Sequence, residues 1–210
     1  MGCASSLLSP ASGRERRYAK LAERTHFRPA QVGVLHKIYA NVSNSIDRDD
    51  VISLHEFQLA LFGKRESGGD VFSERIFECF DTTKDGTLSF EEFVKGLSIF
   101  HPEASVEEKT AFAFKVYDLQ GSGAIERDDV RKMLHAVMKQ NKDMKLSDEA
   151  LEMAVEQTFM DCDLSKDGVI SLDEFKVLVD KNEKVIANMT LPMLSRLTKE
   201  FPEFLFTEDN

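Results

Sequence analysis

The sequence predicts an all-α fold of two lobes, each formed by a pair of helix–loop–helix units whose loops touch through short β contacts. The main observation is a repeat. An amphipathic run, an Asp-rich stretch with a central glycine, and a second amphipathic run occur three times, with the glycines at Gly86, Gly123 and Gly168. A fourth, divergent copy has Asp50 in place of the glycine, and the spacing of 36 to 45 residues fits one helix–loop–helix unit per copy.

The repeats divide the 210-residue chain into four parts: a basic amino-terminal arm (1–24), an N-lobe with the first two units (25–100), a C-lobe with the last two (101–185) and a tail (186–210). Helix start signals agree with this division. Ser105 followed by Glu108 is a capping box, and Ser147 can cap the next helix but one. We interpret most of the 16 phenylalanines as core between paired helices.

Composition restricts the function. A net charge of -10 disfavours nucleic-acid binding and favours a cationic partner. Three widely spaced cysteines, Cys3, Cys79 and Cys162, argue against a disulfide framework and indicate a reducing compartment. No apolar run reaches the roughly 18 residues of a membrane-spanning helix. The five histidines are scattered and no nucleophile motif is present, so we expect no catalytic residue and no enzyme activity.

The repeated stretches match the EF-hand loop, in which oxygen ligands stand at positions 1, 3, 5, 7, 9 and 12, because Ca²⁺ prefers six to eight hard oxygens. A glycine at position 6 allows the turn. The predicted ligands of the second copy are Asp81, Thr83, Asp85, Thr87 and Glu92. Those of the fourth copy are Asp163, Ser165, Asp167, Val169 and Glu174, with Ser171 at position 9. Chance rarely sets twelve positions in register twice, so Ca²⁺ is the predicted cofactor.

The third copy has the same skeleton with weaker donors. Its predicted ligands are Asp118, Gln120, Ser122, Ala124 and Asp129. Aspartate at position 12 is one methylene shorter than glutamate, which favours Mg²⁺ or weaker Ca²⁺ binding.

The first copy runs for fourteen residues (43–56) and has no turn glycine. Its candidate ligands are Ser43, Asp47, Asp49 and Glu56. Two interpretations remain open for this loop: it binds Ca²⁺ through backbone carbonyls, or it stays empty and serves to pair with the second loop.

About three carboxylates in each of the strongest loops are consistent with the affinities of calcium sensors. A sensor that opens on binding Ca²⁺ exposes an apolar groove for a partner helix. We therefore favour a sensor over a pure calcium buffer, which needs neither an anchor nor a specialised tail.

The amino terminus predicts a lipid anchor. The stretch Met1-Gly2-Cys3-Ala4-Ser5-Ser6 matches the pattern for myristoylation of Gly2, and Cys3 is a natural palmitoylation site. One myristoyl chain binds membranes only marginally, so a second acyl chain or the arginines of the arm are needed for stable attachment. We expect the protein at the cytoplasmic face of a membrane; the alternative is an unmodified leader.

Several segments together resemble the plant and algal calcineurin B-like family of calcium sensors, over residues 25–206. The segments that carry the resemblance are Glu56-Phe57-Gln58-Leu59-Ala60-Leu61-Phe62, Phe100-His101-Pro102, Ile125-Glu126-Arg127 and Met189-Thr190-Leu191-Pro192. The resemblance implies a protein that, with Ca²⁺ bound, docks a short helical motif from the regulatory tail of a serine/threonine kinase in its apolar groove. Such a sensor relieves autoinhibition and brings the kinase to transporters and channels. It also implies a first loop that binds through backbone oxygens, and a plasma-membrane location.

Two points remain open beside this resemblance. A calcineurin B-type regulatory subunit of a protein phosphatase has the same four units and an acylated Gly2, and a neuronal type of sensor is a more distant alternative. Family members usually have a phosphorylated serine in the tail, where this chain has Glu203 between Pro202 and Phe204. Our hypothesis is that Glu203 supplies part of the charge of the phosphate.

Overall fold

The computed structural model describes residues 13–62, 71–140 and 147–182. Their elements are α1 (Gly13–Ala22), α2 (Pro29–Val42), β1 (Ile52–Ser53), α3 (Leu54–Phe62), α4 (Val71–Phe80), β2 (Thr87–Leu88), α5 (Phe90–Ser98), α6 (Val106–Tyr117), α7 (Arg127–Gln140), α8 (Asp148–Cys162) and α9 (Leu172–Lys181). The predicted all-α class is confirmed. None of the helices in these ranges is both long and apolar enough to cross a membrane.

The helices begin where their capping residues stand. Ser105 accepts a hydrogen bond from the Glu108 amide while the Glu108 side chain accepts one from Ser105, and the Ser147 side chain accepts from the Ala150 amide, as the sequence predicts. Ser89 and Ser171 form equivalent boxes with Glu92 and Glu174. The last residue of the loop in the second copy (loop 2, 81–92) and in the fourth copy (loop 4, 163–174) is therefore also part of the cap of the helix that follows.

The loops pair within each lobe. Strands β1 and β2 are antiparallel, with Ile52 opposite Leu88. In the second lobe, Ile125 and Ile170 exchange two backbone hydrogen bonds of 2.9 Å. All four of these apolar side chains are buried, so each contact joins two loops at the top of a core.

The buried side chains form two hydrophobic clusters, and α6 contributes to both. Phe112 and Val116 belong to the first cluster, where the ring of Phe112 lies 5.3 Å from Phe100 and 6.0 Å from Phe80 between centroids. Ala113 and Phe114 belong to the second cluster. The predicted boundary between the N-lobe (25–100) and the C-lobe (101–185) therefore separates the two pairs of loops. It does not separate the two hydrophobic clusters, because α6 belongs to the C-lobe by sequence and contributes to both.

Arg75 adds a polar contact between the two lobes. Its Nε donates a 2.9 Å hydrogen bond to the carbonyl of Lys115, in the last turn of α6, and its Nη1 pairs with Glu78 at 2.8 Å. An arginine beside the carboxyl end of a helix satisfies a carbonyl that the helix leaves free and meets the negative end of the helix dipole. The contact ties α4, which leads into loop 2, to α6, which leads into loop 3.

Within the described part of the basic arm, residues 13–22 form α1 and pack on the first lobe. Leu21 is 5% exposed and joins the core, while Tyr18 and Ala22 pack at its edge. These three residues lie on one face of the helix because they are three and four positions apart. Because the apolar face has only these three residues among many arginines, the sequence of this segment indicates a basic arm rather than a helix packed on the lobe.

Gly96 in α5 offers a sharp test of the packing. A Cβ at this position would lie 2.3 Å from Cδ2 of Phe80, whereas one at Gly33 in α2 would lie 3.5 Å from the Tyr18 ring, an ordinary contact. We expect Gly96→Ala to reduce the free energy of unfolding by about 2–3 kcal/mol despite the better helix propensity of alanine. The matched control, Gly33→Ala, is expected to be neutral or slightly stabilising, by up to about 1 kcal/mol.

Urea unfolding followed by circular dichroism, at one fixed Ca²⁺ concentration, measures both variants. Equal stability of Gly96→Ala and the unmodified protein would contradict the packing of Phe80 against α5.

Candidate calcium-binding loops

Loops 2 (81–92) and 4 (163–174) are held by their first aspartate. Asp81 Oδ2 accepts a hydrogen bond from the Gly86 amide at 2.8 Å, and Asp163 Oδ2 accepts one from the Gly168 amide at 2.9 Å. Both glycines have positive φ angles, of 82° and 89°, which L side chains rarely adopt. The turn thus orients the amides towards the aspartate and leaves the second half of the loop free to form its β contact.

The glutamate at position 12 connects the two halves of each loop. Glu92 Oε2 accepts from the amide and the hydroxyl of Ser89, at 3.0 and 2.7 Å, and Oε1 accepts from the Thr83 amide at 3.0 Å. In loop 4, Glu174 Oε2 accepts from Ser171 at 2.8 and 2.7 Å and Oε1 from the Ser165 amide at 2.9 Å. Position 12 therefore touches positions 3 and 9 in both loops.

These hydrogen bonds keep the two carboxylates charged. Burial alone would raise the pKa of Glu92, but hydrogen bonds from Ser89, Thr83 and Thr82 outweigh it and lower the pKa to about 2. The pKa of Glu174 is lowered to about 2 as well, chiefly by the Ser171 and Ser165 amides. Both groups are ionised at neutral pH, as a ligand of a hard cation must be.

The aspartates at position 5 form local turns. Asp85 Oδ1 accepts from the amide and hydroxyl of Thr87, at 2.9 and 2.8 Å, and Asp167 Oδ1 accepts from the Val169 amide at 3.1 Å. The hydrogen bonds from Thr87 lower the pKa of Asp85. Such turns fix the direction of a short acidic side chain without any partner outside the loop.

Loop 3 (118–129) has the same hydrogen bonds to its first aspartate as loops 2 and 4 but lacks the hydrogen bond across the loop to position 12. Asp118 accepts from the Ser122 and Gly123 amides at 2.9 Å each, as Asp81 and Asp163 do in their loops. At position 12, Asp129 Oδ2 accepts from the Glu126 amide at 3.0 Å. Its Oδ1 is the one buried side-chain nitrogen or oxygen in residues 13–62, 71–140 and 147–182 that has no hydrogen-bond partner.

The length of the side chain explains this orphaned oxygen. Asp129 is fully buried but one methylene shorter than glutamate, so it does not reach the amide at position 3 as Glu92 and Glu174 do. Burial raises the pKa of Asp129, and the charge of Asp118 adds to the effect, while the Glu126 amide and the nearby Gln120 side chain, which lies beyond hydrogen-bond distance of Oδ1, act in the opposite direction. A buried unpaired carboxylate oxygen is costly, and a bound cation would satisfy it.

In loop 1 (43–56), backbone amides from both halves of the loop donate hydrogen bonds to the glutamate at the last position, as they do in loops 2 and 4. Glu56 Oε2 accepts from the Ser53 amide and hydroxyl at 3.0 and 2.9 Å, and Oε1 from the amides of Ile46 and Asp47 at 3.2 and 3.3 Å. Asp50 has a φ of 60°, in the place of the turn glycine. Glu56 thus has the role in loop 1 that Glu92 has in loop 2.

The two extra residues of loop 1 lie in its first half. Asp49 Oδ1 accepts from the Val51 amide at 3.2 Å, which matches position 5 of the other loops, and Ile52 pairs with Leu88 at position 8. Ser43, buried at the end of α2, is then six residues before Asp49, whereas Asp81 is four before Asp85. The two added residues lie between Ser43 and Asp49, and binding of an ion through backbone carbonyls of this half stays a prediction.

Tyr39 was not identified from the sequence. Its hydroxyl lies 2.9 Å from the carbonyl of Asp50 in loop 1 and 2.9 Å from that of Leu88 in loop 2. Burial, together with surrounding carboxylates, raises its pKa to about 12, so it remains a donor. The loop motif holds no signal for this residue, which lies one helix earlier; only its position on the apolar face of α2 indicates that it is buried.

The donor set fits a hard cation. Each loop offers carboxylates, hydroxyls and a carbonyl, the ligands that Ca²⁺ prefers, and the orphaned oxygen of Asp129 is a further acceptor in loop 3. No three Asp, Glu, His or Cys side chains of the described residues converge as a ready cluster. The predicted acylation sites Gly2 and Cys3, and Glu203 of the tail, lie outside the described residues.

Comparisons with known proteins agree with this geometry. Residues 40–98 and 107–179 match the model of the EF-hand domain pair. The chain is 35% identical over 206 residues to calcineurin B-like protein 5 of Arabidopsis thaliana, covering 98% of this chain and 100% of that protein. It is 34% identical to the calcineurin B subunit of Schizosaccharomyces pombe, over 74% of this chain and 80% of that protein. For the calcineurin B subunit of Candida glabrata the identity is 32%, over 81% and 91%.

The orphaned oxygen predicts how loop 3 responds to a longer side chain. We expect Asp129→Glu, made in a Glu92→Gln/Glu174→Gln background that weakens loops 2 and 4, to raise the Ca²⁺ affinity of the protein by roughly tenfold or more. The preference for Ca²⁺ over Mg²⁺ should rise with it. Isothermal titration calorimetry with each ion measures both effects.

The matched control is Asp128→Glu, which adds the same methylene at the preceding position, where the carboxylate is exposed and pairs with Lys132. It should leave the affinity unchanged. An unaltered affinity in Asp129→Glu would show that the length of this side chain does not limit the loop.

Proposed function

Because this chain belongs to the calcineurin B-like family of EF-hand calcium-binding proteins, we propose that it is a Ca²⁺ sensor that binds and activates a serine/threonine kinase. The observation that carries this is the match to a plant calcineurin B-like protein over that protein's whole length, at 35% identity. Loops 2 and 4, each closed by an ionised carboxylate at position 12, supply the calcium-responsive part.

A bound Ca²⁺ places a divalent positive charge inside a loop. How the rest of the protein responds depends on which helices are connected to the ligands of that ion. Glu92 is the third residue of α5 and part of its cap, so a change in the hydrogen bonds of this carboxylate moves the start of the helix. Phe90 and Phe93, on either side of it, pack on Tyr39 of α2 at centroid distances of 5.4 and 5.7 Å. A shift of α5 is thereby passed to α2.

A change in the angle between paired helices uncovers apolar side chains that the closed lobe buries. An amphipathic helix from a partner can cover them, with anchors three and four residues apart. The net charge of -10 favours a helix whose polar face is cationic. We propose that this helix is the short regulatory motif of the kinase, and that its capture relieves autoinhibition.

A regulatory protein of a calcineurin-type phosphatase is the alternative, since calcineurin B subunits are 34% and 32% identical to this chain. Coverage favours the kinase regulator. The match takes in all of the plant calcineurin B-like protein, but 80% and 91% of the two fungal calcineurin B subunits.

A pulldown with two baits separates these functions. One bait is the autoinhibitory-motif peptide of a kinase regulated by calcineurin B-like proteins; the other is the helix with which a calcineurin-type phosphatase holds its regulatory partner. We expect capture by the kinase peptide in Ca²⁺ and at least tenfold less in chelator, since the uncovered groove needs filled loops.

The variant Glu92→Gln/Glu174→Gln should lose this Ca²⁺ dependence. Glu91→Gln, which alters an exposed carboxylate paired with Lys95 in the same turn of α5, is the matched control and should retain it. Preferential capture by the phosphatase helix would favour the phosphatase regulator over the kinase regulator. Equal capture by the kinase peptide with and without Ca²⁺ would contradict a calcium-dependent sensor.

We also propose that acylation of Gly2 and Cys3 holds the sensor at the cytoplasmic face of a membrane, by family analogy the plasma membrane, where the kinase meets transporters and channels. The pattern Met-Gly-Cys with serine at positions 5 and 6 supports this. Two acyl chains provide the stable attachment that one myristoyl chain does not.

Gly2→Ala should move the full chain, expressed in cells of the source type, from the membrane to the soluble fraction. Cys3→Ser should retain only weak, reversible attachment, because one chain remains. Fractionation with detection of both lipid groups by mass spectrometry measures this, and membrane retention of Gly2→Ala would remove the anchor from the proposal.

A further inference from the structure

The outer face of α8 carries the two most exposed large apolar side chains of residues 13–62, 71–140 and 147–182. Met153 is 72% exposed and Met160 is 75% exposed, and Leu164, two residues after the end of the helix, is also exposed. We call Met153 and Met160 the methionine stripe. Single exposed apolar residues are ordinary on a protein surface, so the arrangement of these two side chains decides whether they form a site.

The two methionines lie on one line along the helix. They are seven residues apart in sequence, which is about two turns, so both side chains are on the same side of α8 and about 10 Å apart along its axis. The opposite side of the helix is buried in the second hydrophobic cluster and consists of Leu151, Val155, Phe159 and Cys162. The methionine stripe is therefore outside the core of its lobe.

Acidic side chains border the methionine stripe. Glu149 is one turn before the first methionine, Glu156 is a neighbour of both on one side, and Asp161 is in the last turn of α8. Gln157 is a neighbour of both methionines on the other side, and its side chain donates a 2.9 Å hydrogen bond to Asp161. The helix has five acidic residues and no basic one. An apolar line with acidic borders is the result.

Ion pairs with α7 neutralise only part of this negative charge. Two arginines of α7 pair with Glu152, at 2.6 Å, and with Glu156, and these two carboxylates remain about half exposed. Within the described ranges no ion pair joins Glu149 or Asp161, and residues 147–165 contain no lysine or arginine. The surface around the methionine stripe is thus acidic at both of its ends.

We propose that the methionine stripe is a docking surface for a basic amphipathic helix of a protein partner. Methionine is flexible and polarisable, so it adapts to partner side chains of different shape. A partner helix can cover two apolar residues two turns apart with anchors at the same spacing. Lysine or arginine beside those anchors would meet Glu149, Glu156 and Asp161.

Charge disfavours two other occupants of this surface. A second copy of the chain would bring the same acidic helix, so that five carboxylates of one α8 would approach five of the other. A membrane surface with anionic lipids would be repelled by the same borders, because helices that lie on membranes carry lysine and arginine beside their apolar face. A basic helix is the partner that satisfies both the apolar line and its borders.

The methionine stripe is separate from the apolar groove of the proposed function. The stripe is exposed without any change in the angle between helices, whereas the groove requires such a change. A basic helix should therefore bind the stripe in the absence of Ca²⁺. The protein would then hold one partner segment at all times and a second one during a calcium signal.

The test uses the full chain and a labelled helical peptide of leucine and lysine, about five turns long, with leucines on one face and lysines on both sides of it. A comparison peptide has glutamate in place of each lysine. Fluorescence anisotropy measures binding in chelator, so that the groove stays closed. We expect the lysine peptide to bind at least about tenfold more tightly than the glutamate peptide.

Met153→Gln/Met160→Gln should weaken binding of the lysine peptide at least about tenfold, because apolar area is no longer buried in the complex. Glutamine retains a similar length and helix propensity. The matched control, Leu59→Gln/Val106→Gln, makes the same kind of change at exposed apolar residues of α3 and α6 and should alter binding less than about twofold. Circular dichroism checks that each variant folds.

The acidic borders are tested separately. Glu149→Gln/Asp161→Asn should weaken binding at least about fivefold at low salt, and this difference should disappear at about 0.5 M salt. The matched control, Glu107→Gln/Asp180→Asn, removes the same net charge from exposed positions of α6 and α9. It should alter binding less than about twofold.

Four outcomes would overturn the proposal. Absence of binding, or equal weakening by a test pair and its control, would leave only a general attraction of peptide to an acidic protein. A dimer of the unmodified chain in sedimentation velocity that Met153→Gln/Met160→Gln converts to a monomer would make a second copy the occupant. Binding that requires Leu194→Gln/Leu197→Gln would make the chain's own tail the occupant.

Failure of this proposal is distinguishable from failure of the proposed function. Glu92→Gln/Glu174→Gln should bind the lysine peptide in chelator as the unmodified chain does, although it loses Ca²⁺-dependent capture by the kinase peptide. Met153→Gln/Met160→Gln should show the reverse pattern.

Discussion

The carboxylate at the end of a calcium loop joins two groups of backbone amides that would otherwise have no common partner. Glu56, Glu92 and Glu174 each accept hydrogen bonds from the start of the following helix and from the first half of their own loop. One side chain thus caps a helix and closes a loop, and in Glu92 and Glu174 it also keeps a negative charge at the predicted ion site. Helix position and ion affinity are linked because they depend on the same two oxygen atoms.

Loop 3 shows what happens when this link is incomplete. Asp129 retains the bond to the helix start but not the one across the loop, and the cost is a buried oxygen with no partner. Loop 1 keeps the link with an altered first half, since the glutamate meets the amides of Ile46 and Asp47 instead of one at position 3. The four loops are therefore variations of one hydrogen-bond plan, and their differences lie where the chain length or the side-chain length changes.

Much of the fold and the candidate ligands could be predicted because EF-hand information is local. A loop of twelve residues contains its own spacing, its turn glycine and the cap of the next helix, so Asp81 to Glu92 can be interpreted without knowledge of the rest of the chain. Tyr39 could not be identified in this way, because its partners Asp50 and Leu88 are 11 and 49 residues away. The docking of α1 was also missed, since three apolar residues among many charges form too short a pattern.

The position of α6 has a consequence for how the protein responds. One face of this helix supplies Phe112 and Val116 to the first core, and the other supplies Ala113 and Phe114 to the second, so the helix is a boundary common to both. If ion binding to loop 3 displaces α6, the contacts of Phe112 with Phe80 and Phe100 in the first core must therefore change as well. The two halves of the molecule are expected to respond to a calcium signal jointly rather than as separate detectors.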